Sequence, residues 1–112
     1  MDIIENIEMI REYTKGMDFP AFLADRKTRD ATERCLQRIS GAAKKLGDLA
    51  EAEMPDLDWR GIRDIGNVLR HAYDRLEPKA IWAIVTTLLD PLFLSTKATL
   101  ARLEATEQTH PR

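Results

Sequence analysis

The chain has 112 residues, of which 44% are hydrophobic, so it has the size and composition of one folded domain with a modest core. Its 17 basic and 19 acidic side chains give a formal net charge of −2, which excludes an overall basic surface and leaves only a local site for any nucleic acid. The single cysteine, Cys35, excludes an internal disulfide, and one cysteine with one internal histidine cannot build a zinc site, so no metal or cofactor is expected.

The sequence also predicts where the protein resides and how far its folded domain extends. No run approaches the ~20 apolar residues of a membrane span, and residues 1–6 are acidic and mixed, unlike a secretory signal. We therefore expect a soluble, cytoplasmic protein without a membrane partner. Residues 1–104 are expected to form one helical domain, while residues 105–112 have no apolar pattern and are expected to be a frayed tail.

Apolar residues at three- and four-residue steps predict an amphipathic helix over residues 2–14, ended by Gly16. Its stripe consists of Ile3, Ile7, Ile10 and Tyr13. A short helical turn is predicted within residues 17–25, with Asp18 as its N-cap and Pro20 in its first turn.

The next predicted helix starts at a cap, either Thr28 or Asp30, and continues to about Glu51. Its core stripe is Ala31, Cys35, Leu36, Ile39, Ala42 or Ala43, Leu46 and Leu49. The small residues 41–43 could admit another helix at close range. Cys35 lies on this stripe and is expected to pack as a small hydrophobic side chain.

A third helix is predicted from Trp59, capped by Asp58, to about Leu76. Its apolar positions are Trp59, Ile62, Ile65, Val68 or Leu69, and Ala72. The last helix begins near Lys79 and is apolar around more than half of its circumference, with Pro91 and a local cap at Asp90 expected to kink or restart it. The sequence thus predicts an all-α protein: an up-and-down four-helix bundle with one short extra helix.

Residues 63–73 concentrate the groups able to do chemistry: Arg63, Asn67, Arg70, His71 and Tyr73. On a helix, Asn67 lies one turn before His71, and Arg70 lies on the adjoining strip. Arg63 is offset by roughly 80°, but its long stem lets it reach the histidine. Gly66 leaves a bare patch of backbone that could receive either a neighbouring helix or a phosphate.

These residue types suit metal-free cleavage of RNA. Histidine can move a proton to or from ribose oxygens near neutral pH, and arginine binds a phosphate whose charge grows in the transition state. Asn67 could orient the imidazole or hold a phosphate oxygen. A two-fold homodimer would supply a second histidine for the second proton transfer. The alternative is that His71 is an ordinary hydrogen-bonded surface residue.

The order of several short blocks resembles a known family. The blocks are residues 10–14, 17–19, 22–23, 59–62, 63–73 and 81–85. Together they are similar to the HepT-like ribonuclease toxins of the HEPN superfamily, whose motif is commonly Arg-Asn-x-x-x-His-x-Tyr. Asn67, His71 and Tyr73 match it, whereas Gly66 stands where the family has arginine. Arg63 and Arg70 are the available substitutes for that arginine.

The resemblance implies a function. It implies the toxin of a type VII HepT–MntA-like toxin–antitoxin pair, an RNA endonuclease with His71 for proton transfer, Asn67 as orienting group and Arg63 or Arg70 as phosphate clamp. Tyr73 would receive AMP from an MntA-type nucleotidyltransferase antitoxin, although it could instead pack in the core. The alternatives are a non-catalytic HEPN module that binds a nucleotidyltransferase and RNA or a nucleotide, and a four-helix scaffold without a site.

Overall fold

A computed structural model describes residues 2–71 and 78–109, with side chains for all of these except residues 70, 71 and 107–109. The described residues form seven helices: α1 (Asp2–Thr14), α2 (Phe19–Ala24), α3 (Arg26–Leu46), α4 (Asp48–Glu53), α5 (Trp59–His71), α6 (Pro78–Thr87) and α7 (Leu89–Thr109). No strand occurs within these ranges, which confirms the predicted all-α class. Two short helices, α2 and α4, accompany the long ones, where the sequence pattern predicts only one.

The helix α3 organises the bundle. It packs extensively against α1 and against α5, and it also contacts α2 and α4. The pair α6 and α7, which takes the place of the predicted fourth helix, packs on α2 and on α1. Between them lies one core: Ile3, Ile7, Ile10, Phe22, Cys35, Leu36, Ile39, Ala43, Ala50, Met54, Trp59, Ile62, Ile81, Leu89 and Leu92. Within the described residues α5 has its main contact with α3, and a face of α5 that carries Arg60, Asp64 and Asn67 is exposed.

The two predicted N-caps at Asp18 and Asp58 are confirmed. Asp18 accepts a hydrogen bond from the Ala21 N–H at 3.0 Å, and Asp58 accepts one from the Gly61 N–H at 3.0 Å. These bonds satisfy backbone donors that the first turn of a helix leaves without intrahelical partners.

The predicted limits of α3 are wrong at both ends. Its N-cap is Asp25, which accepts from the Thr28 N–H at 3.0 Å, so neither Thr28 nor Asp30 caps it. It ends before Gly47, whose φ of 55° is a conformation that residues with a side chain rarely adopt. The break turns the following α4 out of the register of the α3 stripe. Ala50 is therefore buried, and Leu49, predicted in the core, is 52% exposed.

The break in the last predicted helix occurs at Leu88, earlier than expected. Pro91 lies in the first turn of α7, where its missing N–H removes no intrahelical bond, so of the two expected outcomes the helix restarts here and is not kinked at the proline. Asp90 does not cap this helix, since its carboxylate forms an ion pair with Arg11 at 2.6 Å. α7 extends to Thr109, and residues 110–112 lie outside the described ranges. The domain limit at residue 104 and the frayed tail after it stay predictions.

Within the described ranges, no single helix is both long and apolar enough to cross a membrane. The pair α6 and α7, bent by 40°, passes by length and composition only when its two helices are taken together.

Candidate functional site

A groove of about 600 Å³ runs along the exposed face of α5, beside the end of α3. It is lined by Lys44, Asp58, Arg60, Gly61, Arg63, Asp64 and Asn67. Arg60, Asp64 and Asn67 follow one another at four- and three-residue steps, so they share one strip of the helix. The next step along this strip is His71, the last residue of α5. The groove therefore leads toward the histidine position.

The contact between α3 and α5 closes around Ser40 and Gly66. The Ser40 hydroxyl donates to the Arg63 carbonyl at 2.7 Å and accepts from the Gly66 N–H at 3.0 Å. A Cβ on residue 66 would lie 2.8 Å from Ser40 Oγ and 3.3 Å from Ser40 Cβ. Of the two possibilities for the bare backbone patch, this side of Gly66 receives a helix neighbour.

The close contact of α5 with α3 lies at Ser40, one residue before the segment 41–43 for which it was predicted. A Cβ on Gly41 would meet nothing within 4 Å, and Gly41 instead lines a separate groove between α1 and α3 with Ala42 and Asn6. Ala43 is buried in the core, so of the two alternatives at this turn, Ala43 belongs to the stripe and Ala42 lies at its edge.

Arg63 connects α5 to the end of α3 and to α4. Its guanidinium donates to both carboxylate oxygens of Glu51, at 2.8 and 2.6 Å, and to the Gly47 carbonyl at 2.8 Å. Its Nε donates to the Ala43 carbonyl at 3.3 Å. The Ala43 carbonyl belongs to the last turn of α3, while Gly47 is the residue between α3 and α4, and its carbonyl also accepts from the Ala50 N–H at 3.1 Å. Arg63 therefore stabilises the fold by joining α5 to α3 and α4, and its role as phosphate clamp stays a prediction.

The ion pair between Arg63 and Glu51 shifts both ionisation equilibria. The hydrogen bonds from Arg63 lower the pKa of Glu51 below its ordinary value of 4.5. The same hydrogen bonds, together with the nearby charges of Glu51 and Asp48, raise the pKa of the Arg63 guanidinium. Both shifts favour the charged pair, so α4 and α5 are held together at neutral pH.

The other predicted site residues have different outcomes. Asn67 lies in the groove and is exposed. Arg70 and His71 belong to the last turn of α5, but their side chains lie outside the described part of the structure. Tyr73 lies outside the described residues altogether, as do Ala72, the predicted helix end at Leu76, and His110. The roles assigned to all of them stay predictions.

Lys44 and Arg60 complete the cationic lining of the groove, and the sequence patterns did not single out either of them. Lys44 is on α3 and comes near Gly66 only because Ser40 brings α3 and α5 together. No sequence spacing encodes that proximity. Arg60 could have been found from the helix period, since it lies seven residues before Asn67 on the same strip.

Two further groups bear on possible chemistry. Among the described residues, no cluster of three or more His, Cys, Asp or Glu side chains could hold a metal ion. Cys35 is 1% exposed, as predicted for a core position, and burial raises the pKa of its thiol.

Several known proteins resemble this chain. The family described as "Ribonuclease HepT-like" matches residues 3–98, which include the whole of α5 and all residues of the groove. A Thermococcus cleftensis protein named "Probable ribonuclease HepT" is 34% identical over 84 residues, covering 75% of this chain and 76% of the relative. A Methanocaldococcus jannaschii protein, provisionally named an RNase, is 36% identical over 84 residues, covering 75% and 69%. No solved structure matches the chain.

Proposed function

Because the chain belongs to the ribonuclease HepT-like family, we propose that it is an RNA endonuclease acting as the toxin of a type VII HepT–MntA-like toxin–antitoxin system. The proposal rests on the extent of the match: residues 3–98 include Asn67 and, one helical turn further along α5, Arg70 and His71. The groove on the same strip of α5 gives a single strand of RNA a path toward the histidine. The proposed place of action is the cytoplasm.

The proposed reaction is transesterification followed by release of the chain. The ribose 2′-oxygen forms a bond to the adjacent phosphorus as the bond from phosphorus to the 5′-oxygen breaks, which leaves a 2′,3′-cyclic phosphate and a 5′-hydroxyl. His71 takes the proton from the 2′-hydroxyl or returns one to the 5′-oxygen. Arg70 stabilises the charge that develops on the phosphate, and Asn67 orients the histidine. The bonds of Arg63 to Glu51 favour Arg70 over Arg63 as the clamp.

A homodimer is part of the proposal, because one histidine does not serve both proton transfers in a single step. A two-fold axis near α5 would place a second copy of His71 in the same groove system. On α5 itself the apolar side chain of Val68 remains 41% exposed, which supports association through this helix. Sedimentation or light scattering of the purified chain tests this point directly.

The proposed partner is an MntA-like nucleotidyltransferase that inactivates the toxin at Tyr73. The tyrosine oxygen would attack the α-phosphorus of a nucleoside triphosphate, forming the tyrosyl–AMP bond and releasing pyrophosphate and a proton. The added negative charge would repel RNA from the end of α5. With the partner coexpressed, we expect wild-type toxin to be neutralised and Tyr73→Phe to stay toxic. Tyr13→Phe is the matched control, because Tyr13 is packed against the core.

One observation favours a second candidate, a non-catalytic HEPN module that binds a nucleotidyltransferase partner and RNA or a nucleotide. Gly66 stands at the position of the family's motif arginine, and Ser40 fills the adjacent space. Under this alternative the groove binds without cutting. Toxicity would then be absent, while capture of the partner would survive substitution of His71.

The experiment that separates the two candidates is induction of the wild-type chain, His71→Ala and His110→Ala at matched soluble expression, with growth and RNA integrity recorded. His110 is the only other histidine and lies outside the motif, so it controls for loss of a histidine as such. The proposal expects arrest and RNA cleavage from wild type and His110→Ala, and neither from His71→Ala. A wild-type chain that is folded, harmless and without cleavage contradicts the enzyme and leaves the binding module.

A further inference from the structure

The groove on α5 contains three cations, and only one is both available and near the histidine end. Arg63 already binds Glu51 and two backbone carbonyls. Arg60 is exposed but lies eleven residues before His71, about 16 Å along the helix axis. Lys44, from α3, is exposed and forms no ion pair with a described residue.

Lys44 reaches α5 at Gly66. A Cβ on residue 66 would lie 3.9 Å from Lys44 Nζ, so the ammonium group is within van der Waals contact of that position. Gly66 is five residues before His71, about 7.5 Å along the helix axis. That distance is comparable to the spacing of successive phosphates in single-stranded RNA. Among the groove's cations whose side chains the structure describes, the lysine ammonium is thus the available one closest to the end of α5.

Lys44 also lies where two grooves meet. It lines the main groove with Asn67, and it lines a smaller adjoining groove of about 190 Å³ with Gln37, Ser40, Gly41 and Gly66. Two aspartates share the main groove. Asp58 accepts from the Gly61 N–H, and Asp64 forms no ion pair with Lys44 within the described residues. The ammonium group of Lys44 is the positive charge that a phosphate at this junction would contact.

We propose that Lys44 binds the RNA phosphate beside the cleavage position, supplying from α3 the positive charge that residue 66 lacks. The inference rests on the proposed ribonuclease function and adds a residue to its site. A Cβ at position 66 would only touch the ammonium group, at 3.9 Å, whereas it would overlap with Ser40 Oγ at 2.8 Å, so it is Ser40 that favours a glycine here.

The test compares Lys44→Gln with Lys45→Gln. The two lysines are adjacent on α3 and both exposed, but Lys45 lines the groove between α1 and α3 on another side of the helix. Glutamine preserves helix propensity, so both variants should fold alike. The probe is a fluorescent single-stranded RNA with 2′-O-methyl groups throughout, which cannot be cleaved by its own 2′-oxygen. Its anisotropy measures binding independently of catalysis.

We expect Lys44→Gln to bind the probe roughly tenfold more weakly than Lys45→Gln, and the slope of log K against log salt to fall by about 0.7. Relocating the charge with Lys44→Gln, Ser40→Gly and Gly66→Arg together should restore binding. Equal binding by the two single variants overturns the inference, and so does a wild type that binds no RNA. A wild type that binds through Lys44 and cuts nothing refutes the ribonuclease proposal alone.

Discussion

The contact between Ser40 and Gly66 predicts that one substitution has opposite effects at two glycines of the bundle. Replacing glycine by alanine inside a helix ordinarily stabilises a protein by about 0.5–1 kcal/mol, because the unfolded chain loses conformational freedom. Gly41 should follow this rule, since a Cβ there would meet nothing within 4 Å. Gly66→Ala should not, because its Cβ would lie 2.8 Å from Ser40 Oγ and 3.3 Å from Ser40 Cβ.

The cost at Gly66 follows from what has to move. The Ser40 hydroxyl is fixed by hydrogen bonds to the Arg63 carbonyl and the Gly66 N–H, so rotating it away gives up both. Overpacking of this kind costs about 1–3 kcal/mol, and each lost hydrogen bond about 0.5–1.5 kcal/mol. The overlap and the loss of both bonds are alternatives, and each costs about 1–3 kcal/mol; subtracting the ordinary gain of about 0.5–1 kcal/mol leaves a destabilisation of about 1 kcal/mol at mid-range.

Urea and thermal denaturation followed by circular dichroism measure both free energies of unfolding. The two alanine variants should differ in melting temperature by roughly 10 °C, at about 4–8 °C per kcal/mol for a domain of this size. Adding Ser40→Gly to Gly66→Ala should cost less than the sum of the single changes, because the clash is gone. A Gly66→Ala variant as stable as Gly41→Ala would refute the close helix contact and the geometry built on it.

Three further predictions concern the frame around the groove. Glu51→Gln should lower the free energy of unfolding at pH 7, and the difference from wild type should shrink below about pH 4.5. The reason is that the pKa of Glu51 is lowered in the folded state, so its stabilising contribution is complete above the ordinary value of 4.5 and is lost as the pH falls through the folded-state pKa. A difference that stays constant with pH in urea titrations would contradict the pairing with Arg63. Trp59→Phe removes the buried bond from the indole N–H to the Met54 carbonyl, 2.8 Å long, and should cost about 1–3 kcal/mol in the same denaturation assay, whereas an unchanged stability would show that the bond contributes nothing. Cys35, at 1% exposure with its thiol pKa raised by burial, should react with a thiol reagent only as fast as the protein unfolds; labelling of the folded protein at the rate of a free thiol would contradict its burial.

Local signals in the sequence predicted the long helices and the starts of α2 and α5, but neither the start of α3 nor the separate helix α4. The apolar period predicted a helix over residues 2–14, which are the bounds of α1, and the caps at Asp18 and Asp58 have the hydrogen bonds expected of them. The errors occur where two signals compete. Gly47 lies within an apolar repeat that continues through it, and the backbone turn at Gly47 prevails over the repeat. Pro91 suggests a break, yet it is tolerated because the chain has already turned at Leu88.

The candidate site likewise combines features that the sequence predicts with features that it does not. Residues on one helix could be grouped from the sequence, and Asn67 and Arg63 both lie on α5 and line the groove. The partners across the helix interface could not, because Ser40, Lys44 and Glu51 come close to α5 only through the packing of α3 and the turn at Gly47. Arg63 therefore looked available for phosphate binding in the sequence, whereas the fold uses its donors internally.

The most direct test of the central proposal is cleavage of a single-stranded RNA by the purified chain, using end-labelled substrates with and without one 2′-deoxy position. The proposal predicts a product ending in a 2′,3′-cyclic phosphate, no cut at the deoxy position, and a rate lowered about 10²–10⁴-fold by His71→Ala but not by His110→Ala. A cut that tolerates the deoxy position, or equal rates for the wild type and His71→Ala, would contradict it.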